Sequence, residues 1–226
     1  MLGGAPRSGT TVLRLLFDRH PQVCSGPETK LFVPAAFKLE WLAKAYDIPL
    51  PELTSMRTAA RSQAAFIDAF AARVRADAGA TRWAEKTPQN IRHLDWIGGR
   101  FPQVSVVHII RDGRDVICSM RQHPDWRWVD GAWQKVLVPR PLEHYARRWL
   151  DDTAAGMAWR DDPRYTEIRY EDLVAGPAAV LRTICEGTGL AVDRDWLAEV
   201  GRSDDTADAG DDERPDYEGA VSGVSV

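Results

Sequence analysis

The segment Gly4-Ala5-Pro6-Arg7-Ser8-Gly9-Thr10-Thr11 has the G-x-x-x-x-G frame of a phosphate-cradling turn, so its chemistry is that of anion binding. An apolar run at helical spacing follows at once (Val12, Leu13, Leu15, Leu16), so the loop opens a helix. A helix N-terminus presents unpaired N–H groups and the positive end of the helix dipole, which suit a phosphate or a sulfate. Glycine lets the backbone approach the anion closely, and Ser8, Thr10 and Thr11 add hydroxyl donors. Thr10 stands where an ATP-binding loop carries lysine, which argues against γ-phosphate transfer. Arg7 is then the loop's own cation.

Elements must hold such a loop in place, and the chain alternates strand-like with helix-like segments throughout. That alternation predicts an α/β domain: a P-loop-type central parallel sheet with helices on both faces. The clearest strand is Val104–Ile110 (VSVVHII), a short β-branched run of the kind buried in a parallel sheet. It ends at Arg111, and carboxyl ends of strands are where open α/β sheets place ligands. Helices are expected over the alanine-rich stretch 52–78, closed by Gly79, then from Pro88 through Ile97, over 116–120, 142–160 and 178–187. Shorter strands are expected at Arg82–Glu85 and Tyr165–Arg169, and the segment holding Trp126, Trp128 and Trp133 reads as a loop. Only Met1, Leu2 and Gly3 precede the phosphate loop, so either the sequence begins late or the loop's strand is truncated to a stub.

Composition narrows the partners. The 226 residues carry a net charge of −4, but residues 201–226 alone hold eight acids against two arginines. The body, 1–200, is therefore near neutral, which speaks against a nucleic-acid binder and leaves local arginines for a small anionic ligand. The tail, 201–226, is acidic and poor in large apolar groups, and is expected to be flexible. Cys24, Cys118 and Cys185 form neither a disulfide framework nor a zinc pattern, and no metal-ligand spacing appears. With no signal peptide and no membrane span in view, a cytoplasmic location is expected.

Four blocks in order now carry a resemblance: PRSGTT at 6–11, HPQVCSGPETK at 20–30, RDGRDVICS at 111–119 and YEDL at 170–173, with EKTP at 85–88 between them. The set resembles the sulfotransferases that use 3′-phosphoadenosine 5′-phosphosulfate (PAPS), most of all the tyrosylprotein sulfotransferase-like branch and its bacterial relatives. It extends across roughly residues 3–190. The resemblance implies that Pro6, Arg7, Ser8, Gly9, Thr10 and Thr11 cradle the 5′-phosphosulfate, while Arg111 and Ser119 hold the 3′-phosphate and Tyr170 packs near the nucleotide. It implies Glu28 as the general base, Lys86 as the cation on the bridging oxygen and sulfonate, and Arg7 as its assistant. In the eukaryotic relatives an arginine lies four residues beyond the serine; here that position is His123.

The function implied is transfer of a sulfuryl group from PAPS to a hydroxyl acceptor, releasing adenosine 3′,5′-bisphosphate, without a metal. A small molecule is the expected acceptor, with a peptide tyrosine or a glycan as the others. Two rivals stand beside it. One is a bisphosphate-binding remnant without turnover, since no second glycine-rich loop is recognisable near the C-terminus. The other is a P-loop kinase with a diverged loop, which predicts Mg-ATP binding. The tryptophans at 126–133 fit an acceptor rim and a satellite core equally well.

Overall fold

The computed structural model describes residues 1–33, 37–130 and 132–201; the acidic segment from 202 onward lies outside the described residues. β1 (Leu2–Gly3) enters the glycine-rich loop, and α1 (Thr10–Asp18) leaves it along the apolar run. β2 (Val23–Ser25) follows, then α2 (Leu39–Ala45), α3 (Leu50–Ala59) and α4 (Gln63–Ala78). The alanine-rich stretch 52–78, read from the sequence as one helix, is thus two. Ser62 restarts it: the side chain accepts a hydrogen bond from the Ala65 N–H and caps α4. Gly79 closes α4 in the left-handed conformation, with φ 62°.

β3 (Arg82–Ala84) leads to a 3-10 turn at Pro88–His93 and then α5 (Leu94–Arg100), so Ile91 and Ile97 lie on two short helical pieces. β4 (Val106–Ile110) and α6 (Gly113–Gln122) come next. The segment read as a tryptophan-rich loop is instead an antiparallel hairpin of β5 (Asp125–Val129) and β6 (Ala132–Val136). Its signal was present as an Asp-Gly dipeptide at 130–131 between alternating aromatic residues. Asp130 takes φ 51°, which that turn chemistry accommodates. α7 (Leu142–Met157), β7 (Tyr165–Arg169), α8 (Tyr170–Ala175), α9 (Pro177–Thr188) and α10 (Arg194–Val200) complete the described chain.

All five remaining strands are parallel. β4 lies between β1 and β7, with Leu2 opposite Val107 and Ile109 opposite Ile168. β2 pairs with β3, and an isolated bridge from Leu2 to Lys86 joins that pair to β1. The Leu2 N–H donates to the Glu85 carbonyl at 2.8 Å across the same seam. The strands therefore run in the order β2-β3-β1-β4-β7. This is the α/β class with a central parallel sheet that the sequence led us to expect.

Side chains of β4 alternate between two cores, as the period of a strand requires. Val107 and Ile109 face Leu13, Leu16 and Phe17 of α1 with Leu181, Ile184 and Trp196 of α9 and α10. Val106 faces Leu42, Leu53, Phe66, Phe70 and Ile97 from α2 to α5. A cavity of about 450 Å³ opens at the amino ends of β1, β3 and β4, lined in part by Leu2, Trp83, Val104 and Val107. It lies at the opposite end of the strands from the loops described next, so volume does not mark the functional site here.

Phe70 is fully buried and touches both Tyr46 and Trp83 edge-on. Phe70→Ala should lower unfolding free energy by about 3–5 kcal/mol, read as a fall in the urea midpoint with little change in slope.

Candidate active site

Each parallel strand ends in a residue singled out from the sequence. Arg7 follows β1, Glu28 follows β2, Lys86 follows β3, Arg111 follows β4 and Tyr170 follows β7. The chain winds from β1 outward to β2, returns through β3, and crosses to β4 on the other side of β1. That reversal puts a crevice at the carboxyl ends of β1 and β4, where open α/β sheets bind their ligands.

The loop 4–9 fits an anion. Its backbone is folded on itself, with the Ser8 N–H donating to the Ala5 carbonyl at 3.1 Å. Arg7 and Gly9 both take left-handed conformations, φ 71° and 91°; for arginine this is a strained choice of the kind that clusters at ligand sites. Gly9 caps α1 without a side chain and no acid lies in the first turn, so among the described residues no capping side chain claims the leading amides. Ser8 Oγ is buried without a hydrogen-bond partner among the described residues. Thr10 is buried beside it and Thr11 is half-buried.

A second cluster sits on the β4 side. Arg7 Nε donates to Ser119 Oγ at 3.1 Å, and Arg111 Nη1 donates to the Arg7 carbonyl at 3.2 Å. The Arg111 guanidinium stacks over the Tyr170 ring at 4.4 Å, and its Nε is buried without a partner among the described residues. Tyr170 in turn packs on Gly9, where an added Cβ would overlap the ring. Thus Arg7, Arg111, Ser119 and Tyr170, distant in sequence, form one surface. Asp112 pairs with Arg114, not Arg111, and that contact holds its carboxyl down at about 2. Arg114 itself is 90% exposed on its side chain, so it serves this local pair. His123 stands exposed at the end of α6.

Glu28 and Lys86 meet on the other side. Lys86 Nζ donates to Glu28 Oε1 at 2.8 Å; the lysine side chain is 2% exposed and the glutamate 23%. Beneath them lies a network that sequence reasoning missed. The buried Glu85 accepts from the Thr29 N–H, the Thr29 and Thr87 hydroxyls and the Asn90 amide. Burial pushes the Glu85 carboxyl up, against the pull of those hydrogen bonds. A buried glutamate one residue before the lysine was the available signal, since glutamate is almost never fully buried without partners. The Gly4 N–H donates to the Pro88 carbonyl at 3.5 Å, which keeps this segment against the loop.

His20 and His108 make contacts within the fold. His20 Nδ1 accepts from the Gln22 N–H, and its other nitrogen lies 3.0 Å from the Ala191 carbonyl. His108 is buried within β4 against Gly156, 2.6 Å from the Tyr165 hydroxyl. Burial pushes it down to about 4. Among the described residues no group of three or more histidine, cysteine, aspartate or glutamate side chains is placed to hold a metal.

A family model described as Sulfotransferase family matches residues 1–194. The chain belongs to the sulfotransferase family. Within it, the protein-tyrosine sulfotransferase of Drosophila melanogaster is 31% identical over 124 residues, 53% of this chain and 24% of that protein. Human protein-tyrosine sulfotransferase 1 is also 31% identical over 124 residues, 53% of this chain and 32% of its own length. The chain thus spans about a quarter to a third of these curated relatives. Among solved sulfotransferases, the domain from the Synechococcus PCC 7002 olefin synthase superposes with TM-score 0.61 at 21% identity, covering 93% of this chain and 79% of that one. The mouse sulfotransferase SULT7A1 complexed with PAP gives TM-score 0.54 at 17% identity, covering 89% and 62%. These two likenesses establish the sulfotransferase fold.

Three outcomes follow from this geometry. Gly9→Ala should lower the urea midpoint more than Gly79→Ala does, because a methyl group there strains φ 91° and also overlaps the Tyr170 ring. Gly79→Ala, with φ 62° and open space around it, should cost only the backbone strain, about 1 kcal/mol. His108 titrates lower in the folded chain than its ordinary value of about 6.5, so the unfolded chain binds the extra proton. Its contribution is complete above pH 6.5 and is lost as pH falls toward 4, about 3 kcal/mol in all. Urea titrations across that window should show the decline, and His108→Gln should flatten it.

Proposed function

We propose that this sulfotransferase moves a sulfuryl group from PAPS to a hydroxyl acceptor and releases adenosine 3′,5′-bisphosphate. The observation that carries the reading is the buried Lys86 bonded to Glu28 beside an anion-binding loop, with Arg7, Arg111 and Ser119 across the crevice. PAPS presents a phosphosulfate and a separate 3′-phosphate, so two anion subsites suit it. The loop 4–11 would take the first and Arg111 with Ser119 the second, since arginine offers permanent charge and a planar fork of donors. The mouse sulfotransferase SULT7A1 is complexed with PAP, which supports this donor class.

Sulfuryl transfer needs in-line positioning and charge stabilisation above covalent help. Glu28 would accept the proton of the acceptor hydroxyl as its oxygen bonds to sulfur. The bond between sulfur and the bridging oxygen breaks, and Lys86 would neutralise the charge that collects on that oxygen. Glu28 and Lys86 hold each other until substrate arrives, so each keeps a hydrogen-bonded partner in a poorly hydrated place. Thr10, where kinase loops carry lysine, disfavours the kinase alternative.

For the acceptor we propose a small-molecule hydroxyl of a cytoplasmic reaction. A tyrosine hydroxyl in a peptide is the second reading, favoured by the names of the relatives at 31% identity.

Calorimetry with adenosine 3′,5′-bisphosphate, adenosine 5′-phosphate and Mg-ATP tests the donor. The bisphosphate should bind best, and Arg111→Ala should weaken it at least tenfold; a preference for Mg-ATP would overturn the reading. With PAPS and a panel of phenols, alcohols and tyrosine peptides, Lys86→Ala should cut transfer about a hundredfold or more. Glu28→Gln should slow transfer and leave bisphosphate affinity intact. Bisphosphate binding with no transfer to any acceptor, water included, would instead identify a binding remnant.

A further inference from the structure

Glu28 and Lys86 are each one residue away from a buried partner in a second contact. Along extended backbone, successive side chains point to opposite sides. Glu28 and Lys86 face the crevice and bond to each other, while Thr29 and Glu85 face the core and do the same. The inner contact is the more elaborate. Glu85 Oε1 accepts from the Thr29 N–H at 3.3 Å, the Thr29 hydroxyl at 2.8 Å and the Thr87 hydroxyl at 2.6 Å, and Oε2 accepts from Asn90 Nδ2. The two threonine oxygens accept in turn from the Leu31 and Lys30 N–H groups at 3.2 Å each. Every contact to the carboxylate is a donor, and among the described residues no basic side chain forms an ion pair with it. A carboxylate so placed is costly to bury, and a hydrophobic residue would serve the core better. What it does provide is direction: it fixes the turn after β2 to the turn after β3 with hydrogen bonds on both of its oxygens.

We propose that Glu85 is a positioning residue for sulfuryl transfer, acting by locking the Glu28 turn to the Lys86 turn so that the base and the cation stand in register. The inference rests on the catalytic reading of Glu28 and Lys86 given above. Among the described residues the hydrogen bonds of the Glu85 side chain go to Thr29, Thr87 and Asn90, not to the loop 4–9 or Arg111, so nucleotide affinity and turnover separate.

The test is Glu85→Gln, which keeps the shape but puts an amide donor where one carboxylate oxygen accepted. The bisphosphate should bind within about threefold of wild type by calorimetry, while kcat for bisphosphate release from PAPS, with p-nitrophenol as acceptor, falls about thirtyfold or more at near-constant KM for PAPS. In a Lys86→Ala background the same change should have almost no further effect, because residues that act as a unit are not additive. Should Glu85→Gln fold poorly, Thr29→Val and Thr87→Val each remove one donor and should lower kcat in the same direction, about three- to tenfold. Wild-type kcat in Glu85→Gln, parallel losses of bisphosphate affinity and kcat, or full additivity with Lys86→Ala would each overturn the proposal. A readout apart from turnover is the ¹⁵N ammonium resonance of Lys86, assigned by its loss in Lys86→Ala. It should shift or broaden in Glu85→Gln; an unchanged signal overturns the positioning role. A signal that moves in a chain that binds no bisphosphate and transfers nothing would leave the fastening intact and sink the sulfotransfer reading instead.

Discussion

Leu2 stands between two halves of a sheet, and its main chain is the seam on which the site depends. On one side its N–H bonds the Glu85 carbonyl at 2.8 Å, and on the other it lies in register with Val107. Shift that seam by one residue and the consequences spread at once. Side-chain alternation would reverse, Lys86 would turn away from the crevice, and the loop after Gly3 would leave the edge where β4 delivers Arg111. Buried apolar contacts on both faces of β4 hold the register, with Val107 and Ile109 on one side and Val106 on the other. Site geometry here is a by-product of core packing.

Charge follows the same logic. Arg7, Arg111 and Lys86 converge at one edge of a body that is close to neutral overall, so the positive field is local. Neighbouring groups leave the Arg111 charge uncompensated by a carboxylate of its own turn. Arg114 occupies Asp112, and the Arg111 guanidinium lies on the face of Tyr170, where an aromatic ring supports the charge without neutralising it. Glu28 is bonded to Lys86, whose buried charge needs a partner.

How much of this was legible depended on how local each signal was. The loop and α1 were readable because the glycine frame and the apolar period are contiguous in sequence. β4 was readable because its β-branched run is short and unbroken. The parallel class followed from alternation alone. What escaped was set by single residues or by pairs far apart. One serine divides the alanine-rich stretch, and a side-chain cap outweighs good propensity around it. The Asp-Gly turn of the tryptophan hairpin was overlooked because aromatic residues were weighed for binding and not for strand preference. The bond between Arg7 and Ser119 spans 112 residues, and the Glu85 network joins the turns after two strands. Pairings of that kind have no periodicity to read, since tertiary structure alone brings them together.

The position of β1 has a thermodynamic side. It carries the loop to which both halves of the crevice are attached. A ligand held jointly by the loop and by Arg111 would bridge segments that the covalent chain connects only through a hundred residues. Such a ligand acts as a staple, and its binding free energy is added to the stability of the entire sheet. Each tenfold rise in free ligand above Kd contributes about 1.4 kcal/mol. The melting point of the protein would then gauge the occupancy of such a ligand, and its lifetime before proteolysis would rise and fall with the ligand's supply.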